Sequence, residues 1–354
     1  MPERKYTVKP SLTTRGLLPE NQETPLEFLQ GDTMNNYQFF RRNHFAYPAL
    51  NQANYRLLVG GLVKRPWSIS LPDLYRFPAK TLKVTLECAG NKRRLFEPKT
   101  YGEQWGKGAI SQGYWRGVPL VYILEQAGIS SQASEIVVKG YDHGFRKDSK
   151  KDYPYARSLP VAKAIHPDTL IAYEYNGQPL SYKHGYPLRL IVPGWYAMAS
   201  VKWIRQISVI ETAFKGPFQA NDYMYYPSKD TDEGSYPVTV QNINSTIQSP
   251  LDMEILSGGR VTIRGIAWTG EGMITSVQIS VNDGQSWNEA RIHSTGLPYE
   301  WVSWQYEWIP PGKGEYSILS KATDSTGRSQ ERKAFWNRKG YGYNAMDHVK
   351  VEVQ

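Results

Sequence analysis

Apolar residues alternate with polar ones in short bursts along most of this chain, and the bursts change character past its middle. In TLKVTLEC (81–88), Leu82, Val84, Leu86 and Cys88 fall on one face at period two, which predicts a strand with one buried side. YRLLVGGLV (55–63), SEIVVKGYD (134–142), YPLRLIVPG (186–194) and VKWIRQISVI (201–210) read as further strands. Two segments follow another rhythm. LPDLYRF (71–77) predicts a short helix opened by Pro72, and VPLVYILEQAG (118–128) predicts a helix stopped at Gly128. Strands and helices mixed without a regular strand–helix–strand repeat predict an α+β domain over residues 1–235. Its first 35 residues are polar and proline-punctuated, and read as an arm over the surface.

Between residues 218 and 248 the pattern lapses into a long loop rich in Tyr, Asp, Ser and Pro. Beyond it, GRVTIRGIAW (259–268), TSVQISVNDGQSWNEARI (275–292), EWVSWQYEWIP (300–310) and GEYSILSKATDSTGR (314–328) are all strand-like. Asp283-Gly284 marks a hairpin, and Val302, Trp304, Tyr306 and Trp308 share a face. Six of the eleven tryptophans lie in this half. Many short strands without a helical pattern predict an all-β immunoglobulin-like sandwich over residues 236–354.

Composition narrows the function. Lys plus Arg number 42 against 33 Asp plus Glu, a net charge of +9 that favours an anionic partner. No Lys/Arg block, helix-turn-helix pattern or zinc spacing supports nucleic acid, and no apolar run reaches the ~18 residues of a membrane span. The single cysteine, Cys88, forms no intramolecular disulfide, so a cytoplasmic location is the default, or a periplasmic one if a leader was removed.

Cys88 ends its strand before Ala89-Gly90-Asn91 and faces Lys92, Arg93 and Arg94. Spacing alone allows a small buried hydrophobe, a nucleophile, a redox thiol or a metal ligand. The six histidines are scattered, which supplies neither a clear base nor a zinc set. Three basic loops stand apart: RRNHFAYP (41–48) with Arg42 and His44, KHGYPLRLIVPG (183–194) with His184 and Arg189, and AMASVKWIR (197–205) with Ser200 and Lys202. Each alone reads as a solvated turn. Together they suit a phosphate on an extended polar heterocycle.

These residues resemble a family. CAGNKRR is similar to the CAGNRR element of the sulfite oxidase family of molybdenum enzymes, RRNH to its RNH element, and AYEYNGQPLSYKHGYPLRLIVPG to its NGxPLxxxHGxPxRxxxPG stretch. ASVKWIRQISV resembles the VKW element that follows, and FWNRKGYGYNAMDHVKV the closing pattern of the family's dimerisation domain. The resemblance implies a molybdenum cofactor with a single pterin, and Cys88 as its one protein ligand. It implies that Arg42, His44, Asp142, His184, Arg189, Ser200 and Lys202 bind that cofactor, with Tyr223 the active-site tyrosine beside Arg42. Sulfite oxidation to sulfate is the activity implied, in a homodimer passing electrons to a separate acceptor such as a cytochrome c. No CxxCH motif marks a haem, and no added length marks a flavin module.

Two positions depart from the family pattern. Tyr114 stands where alignment by eye expects an arginine before Trp115, and Lys339 replaces the arginine of the closing element. Both are read as substrate-side positions, with Arg116 or Arg338 as substitutes for the missing forks. Two rival readings follow: a same-fold enzyme reducing nitrate or a sulfoxide, and a cofactor-free polyanion-binding module.

Overall fold

The computed structural model describes residues 11–29, 31–293 and 297–354. Two five-stranded sheets form the first domain. One runs Gln178–Pro179, Leu170–Tyr175, Ile110–Pro119, Lys80–Glu87, with Arg189–Ile191 also pairing to Leu170–Tyr175. The other runs Trp67–Ile69, Leu57–Gly61, Ile204–Ile210, Glu135–Arg146, Lys151–Pro160. The helix Leu120–Ala127 buries Leu120, Ile123, Leu124 and Ala127, an i, i+3, i+4, i+7 stripe, and Gly128 ends it at φ 68°. That stripe joins Leu57, Val59, Ile136, Val138 and Ile207 in the main core. Each such side chain contributes ~1.5–3 kcal/mol by leaving water.

The second domain is a sandwich. Asn244–Ser249, Val261–Trp268, Val302–Trp308 and Arg291–Ile292 make one sheet, and Glu254–Leu256, Asp347–Val353, Gly314–Asp324, Ile274–Ser280 and Asn288–Glu289 the other. Ile247, Ile263, Val277, Trp304 and Ile318 fill the space between them. The hairpin turn forms where Asp283 and Gly284 both take positive φ, 56° and 87°. Residues 275–292 are not one strand, however. After that hairpin, Arg291–Ile292 crosses to the other sheet and pairs with Val302–Trp308.

Several elements depart from the apolar pattern for physical reasons. Ile110–Pro119 is a strand despite its polar Ser111, Gln112 and Gly113, because these residues are buried at a joint. Gln112 accepts hydrogen bonds from Thr85 (2.7 Å) and from the Trp301 backbone (2.6 Å). Lys151–Pro160, Leu170–Tyr175 and Asp347–Val353 are strands that the pattern did not mark. The long loop holds the turn Phe218–Asp222 and the start of the strand Asn244–Ser249. Residues 11–29 and 31–35 are more than a surface arm: Leu29 and Met34 are buried against Ile110, Ile266, Trp268 and Trp301. Residues 1–10 lie outside the described residues.

A buried polar knot joins the domains directly behind the Cys88 strand. Lys92, fully buried, donates to Asn244 Oδ1 and the Ser245 carbonyl, both at 2.7 Å. Asp347 sits 3.8 Å from Lys92 and 2.9 Å from Lys107. Glu87 accepts from Trp268 Nε1 at 2.9 Å. Burial pushes the Asp347 pKa up, but Lys107, Lys92 and the Ile247 N–H outweigh it and hold the carboxyl below its ordinary value. Asp347→Asn leaves Lys92 without its counter-charge and is expected to cost about 3–5 kcal/mol, read by urea unfolding at pH 7. A depressed carboxylate pKa stabilises above the unfolded value and loses that effect as pH falls. The wild-type margin is therefore full above 3.8 and shrinks below it.

Candidate active site

The strand Lys80–Glu87 delivers Cys88 to the junction of two cavities. The inner one, about 600 Å³ with its open mouth, is lined by Arg42, His44, Asp142, His184, Arg189, Ser200, Lys202, Tyr223 and Cys88 among others. The outer one, about 840 Å³, adds Arg93, Trp105, Arg338, Lys339 and Tyr341. Arg42, Cys88 and Tyr223 line both. The three basic loops of the sequence thus converge on the cysteine.

Local chain geometry sets the inner wall. Gly185 takes φ 112°, and a Cβ there would sit 3.1 Å from that of Lys202, so the loop after His184 folds tightly onto the Ser200–Lys202 segment. Arg189 donates to the Ser200 and His184 carbonyls at 3.3 and 3.4 Å. Ser200 Oγ accepts from the Val192 N–H at 3.1 Å, which leaves its own proton free. Lys202 donates to the Arg42 carbonyl (3.1 Å) and to Asn43 Oδ1.

A hydrogen-bond relay orients Tyr223. Arg42 Nη2 lies 3.2 Å from His44 Nδ1, and a guanidinium can only donate, so Nδ1 accepts and the neutral ring carries its proton on Nε2. That proton goes to Tyr223 Oη at 2.8 Å. The Tyr223 hydroxyl keeps its own proton to donate into the cavities it lines. Burial pushes the His44 pKa well below its usual value, helped by Arg42, Arg146, Lys202 and Arg157, which agrees with a neutral ring.

Positive charge in this cleft is undercompensated. Burial, with Arg189 beside it, holds Lys202 well below its ordinary pKa. Burial lowers Arg189 to about 9, and burial with Arg189 and Lys202 lowers His184. The cleft's one carboxylate, Asp142, is itself raised by burial, and its Oδ1 has no hydrogen-bond partner among the described residues. An anion bound among these groups would relieve the cationic ones, Arg189, Lys202 and a protonated His184. Cys88 is pushed up by burial, against Arg42, the Gly90 backbone and Arg93.

The outer cavity corrects the substrate-side reading. Tyr114 is not there: it is 44% exposed, pairs in register with Lys83, and so sits five residues, or ~17 Å of strand, from Cys88. Arg116 is exposed too, beside Tyr173 and Glu174. Arg93 reaches the cavity instead, facing the Tyr341 ring at 4.8 Å, with Nε and Nη1 on the Lys339, Gly340 and Glu103 carbonyls. Its signal was in the sequence, as the first arginine, and second basic residue, after CAGN. Lys339 does line the cavity, but its ammonium donates to the Asn221 carbonyl at 2.5 Å. Arg338 pairs with Asp232. Trp105 was missed because it stands in no charged motif, and Tyr341 because the closing element around it was read only for its charges at Arg338 and Lys339.

Comparison with known proteins accounts for this arrangement. The profile of the oxidoreductase molybdopterin binding domain matches residues 44–218, and that of the Mo-co oxidoreductase dimerisation domain residues 235–354. Mitochondrial sulfite oxidase of Mus musculus is 35% identical over 97% of this chain, which spans 66% of that protein. Sulfite oxidase of Gallus gallus is 33% identical over 94% of the chain and 76% of its own length. The sulfane dehydrogenase SoxCD of Paracoccus pantotrophus superposes with a TM-score of 0.82 at 27% identity, covering 99% of this chain and 89% of that one. The fold and the cleft define a molybdopterin-binding oxidoreductase. More narrowly, the chain belongs to the sulfite oxidase family.

The residues fit the family's molybdenum cofactor. The undercompensated cations suit its phosphate, the unpartnered Asp142 oxygen suits a pterin N–H, and a lone thiol suits a metal that brings sulfur ligands with it. Among the described residues no three His, Cys, Asp or Glu side chains could hold a metal by themselves. A bound anion raises the depressed pKa values of Lys202 and His184, so binding takes up protons and weakens as pH rises. Titrating pyrophosphate into cofactor-free protein in two buffers of different ionisation enthalpy measures that uptake, and a Lys202→Met variant is expected to take up less.

Proposed function

We propose that this protein oxidises sulfite to sulfate at a molybdenum centre ligated by Cys88, and passes the two electrons to a separate acceptor such as a cytochrome c. The observation that carries the reading is the sharing of Arg42, Cys88 and Tyr223 between the two cavities. Arg42, His44, Asp142, His184, Arg189, Ser200 and Lys202 would hold the cofactor in the inner cavity, and the outer cavity, which shares Cys88 with it, would admit the substrate. When bound, the molybdenum cofactor supplies oxygen-atom transfer and accepts the electron pair of the substrate sulfur. The overall change is sulfite plus water to sulfate, two protons and two electrons.

The chain's own residues bind and orient. Arg93, Arg338 and Lys339 give the outer cavity a positive field that draws in a small oxyanion. The Arg42 guanidinium and the Tyr223 hydroxyl present donors at the junction, where charge on the substrate oxygens is redistributed. Through its bond to His44, Tyr223 keeps its proton pointing at substrate. Its pKa, pushed well above the ordinary value by burial, keeps it a donor across the physiological range. Lysine at 339, tied to the Asn221 carbonyl, gives charge without the two-pronged grip of an arginine. The match to a dimerisation domain supports a homodimer.

Purified protein expressed with the cofactor available is expected to hold close to one molybdenum per chain and to reduce ferricyanide or cytochrome c with sulfite. Nitrate reduction by a viologen donor without sulfite turnover would replace the reading by its nearest rival. A metal-free protein retained on heparin would replace it by a binding module. Cys88→Ser is expected to fold and lose turnover, and Tyr223→Phe to lower kcat roughly 100-fold while molybdenum content holds.

A further inference from the structure

One buried charge beside the site has no part in the chemistry above. Arg157, on the strand Lys151–Pro160, is 1% exposed and forms no ion pair among the described residues. Its Nη1 donates to the Phe218 carbonyl, while Nε and Nη2 have no hydrogen-bond partner. Its guanidinium carbon lies 5.4 Å from the centre of the Tyr223 ring. Tyr155, two residues earlier and so on the same face, stacks on His44 at 5.1 Å.

The Phe218 carbonyl is the link. It also accepts from the Tyr223 N–H at 3.4 Å, the bond that closes the turn Phe218–Asp222 onto the tyrosine. Arg157 therefore braces the oxygen that fixes the backbone of Tyr223 and faces the ring of the same residue. The outer side of the turn is gripped separately, with Arg146 on Asp222 and Lys339 on the Asn221 carbonyl. Ser158 N bonds Gln219 Oε1 at 3.4 Å, and the Phe218 ring packs on His44 at 4.7 Å and on Tyr155 at 4.8 Å. A neutral donor would satisfy the Phe218 oxygen as well, so packing does not account for a cation that is costly to bury unpaired. A charge against the aromatic face does account for it.

We infer that Arg157 is a positioning residue, which holds the Tyr223 phenol at the junction of the two cavities by bracing the Phe218 carbonyl and facing the Tyr223 ring. The part that concerns turnover rests on the sulfite reading, and the part that concerns the turn does not. Hydrogen exchange on the holoenzyme tests the second: Arg157→Met is expected to speed exchange at Phe218–Tyr223 about tenfold, with the core strand Ile204–Ile210 unchanged. A double-mutant cycle tests the first: Arg157→Met lowers kcat about tenfold in the wild-type background and less than twofold in Tyr223→Phe, at equal molybdenum content. Arg157→Lys recovers much of both effects. Arg157→Gln, a neutral donor that can still hold the Phe218 carbonyl, recovers the exchange at the turn more than it recovers kcat, and Arg157→Leu is the second variant without a donor should the Met protein not fold. Unchanged exchange at the turn, exchange that rises equally in Ile204–Ile210, or an equal kcat loss in both backgrounds would overturn the inference. If the wild type fails to turn over sulfite, the function falls while the exchange result still decides the bracing.

Discussion

The structure is organised around positive charge that it buries and does not neutralise. Arg42, Arg189 and Lys202 surround one cleft with a single carboxylate among them, and Arg157 sits behind it with none in hydrogen-bond contact. Such groups are costly in a folded chain, because each loses its hydration without a countercharge. The protein holds them there by tying them to backbone carbonyls: Arg189 to those of His184 and Ser200, Lys202 to that of Arg42. The depressed pKa values of Lys202 and His184 measure the strain. An anionic cofactor removes it. Cofactor binding and local stability are thereby linked, since whatever favours the bound anion also favours the arrangement of loops that holds it.

Cys88 belongs to this arrangement through the joint between the domains. Its strand runs into the knot of Lys92, Asp347, Glu87 and Trp268, whose members come from both halves of the chain. The same joint brings Lys339 and Tyr341 from the second domain to the wall of the outer cavity, where Tyr341 stacks on Tyr223 at 5.3 Å. The sandwich is thus part of the site as well as a candidate dimer interface. A shift at the joint would move the substrate side of the cavity relative to the cysteine.

Legibility in the sequence followed the physics of each element. The apolar alternation showed Val302–Trp308, which has one buried face. It also showed Lys80–Glu87, although Thr85 and Glu87 on the other face of that strand are buried too, bonded to Gln112 and Trp268. It did not show Asn244–Ser249: Asn244 and Ser245 lie inside the interdomain knot, so their polarity reads as loop. The site loops were legible because Arg, His and Lys clustered with Gly mark an anion cradle. Tyr114 was misplaced because a substitution inside an aligned motif says nothing about where the side chain points. Arg93 filled the cavity instead, five residues from Cys88 across a left-handed turn at Lys92.

What the sequence determined by itself was chemistry that is local: a strand ending in a lone thiol, basic glycine-containing loops, a hairpin at Asp283-Gly284, and motifs short enough to carry a family. What the tertiary structure decided was everything that depends on distance across the chain. It set the His44 tautomer through Arg42, aimed the Tyr223 proton, placed Arg157 beneath that ring, and brought Lys339 to the cavity while tying its ammonium to Asn221. The reason is that a side chain's protonation, direction and partners are set by neighbours tens or hundreds of residues away. Only the folded packing fixes which neighbours those are.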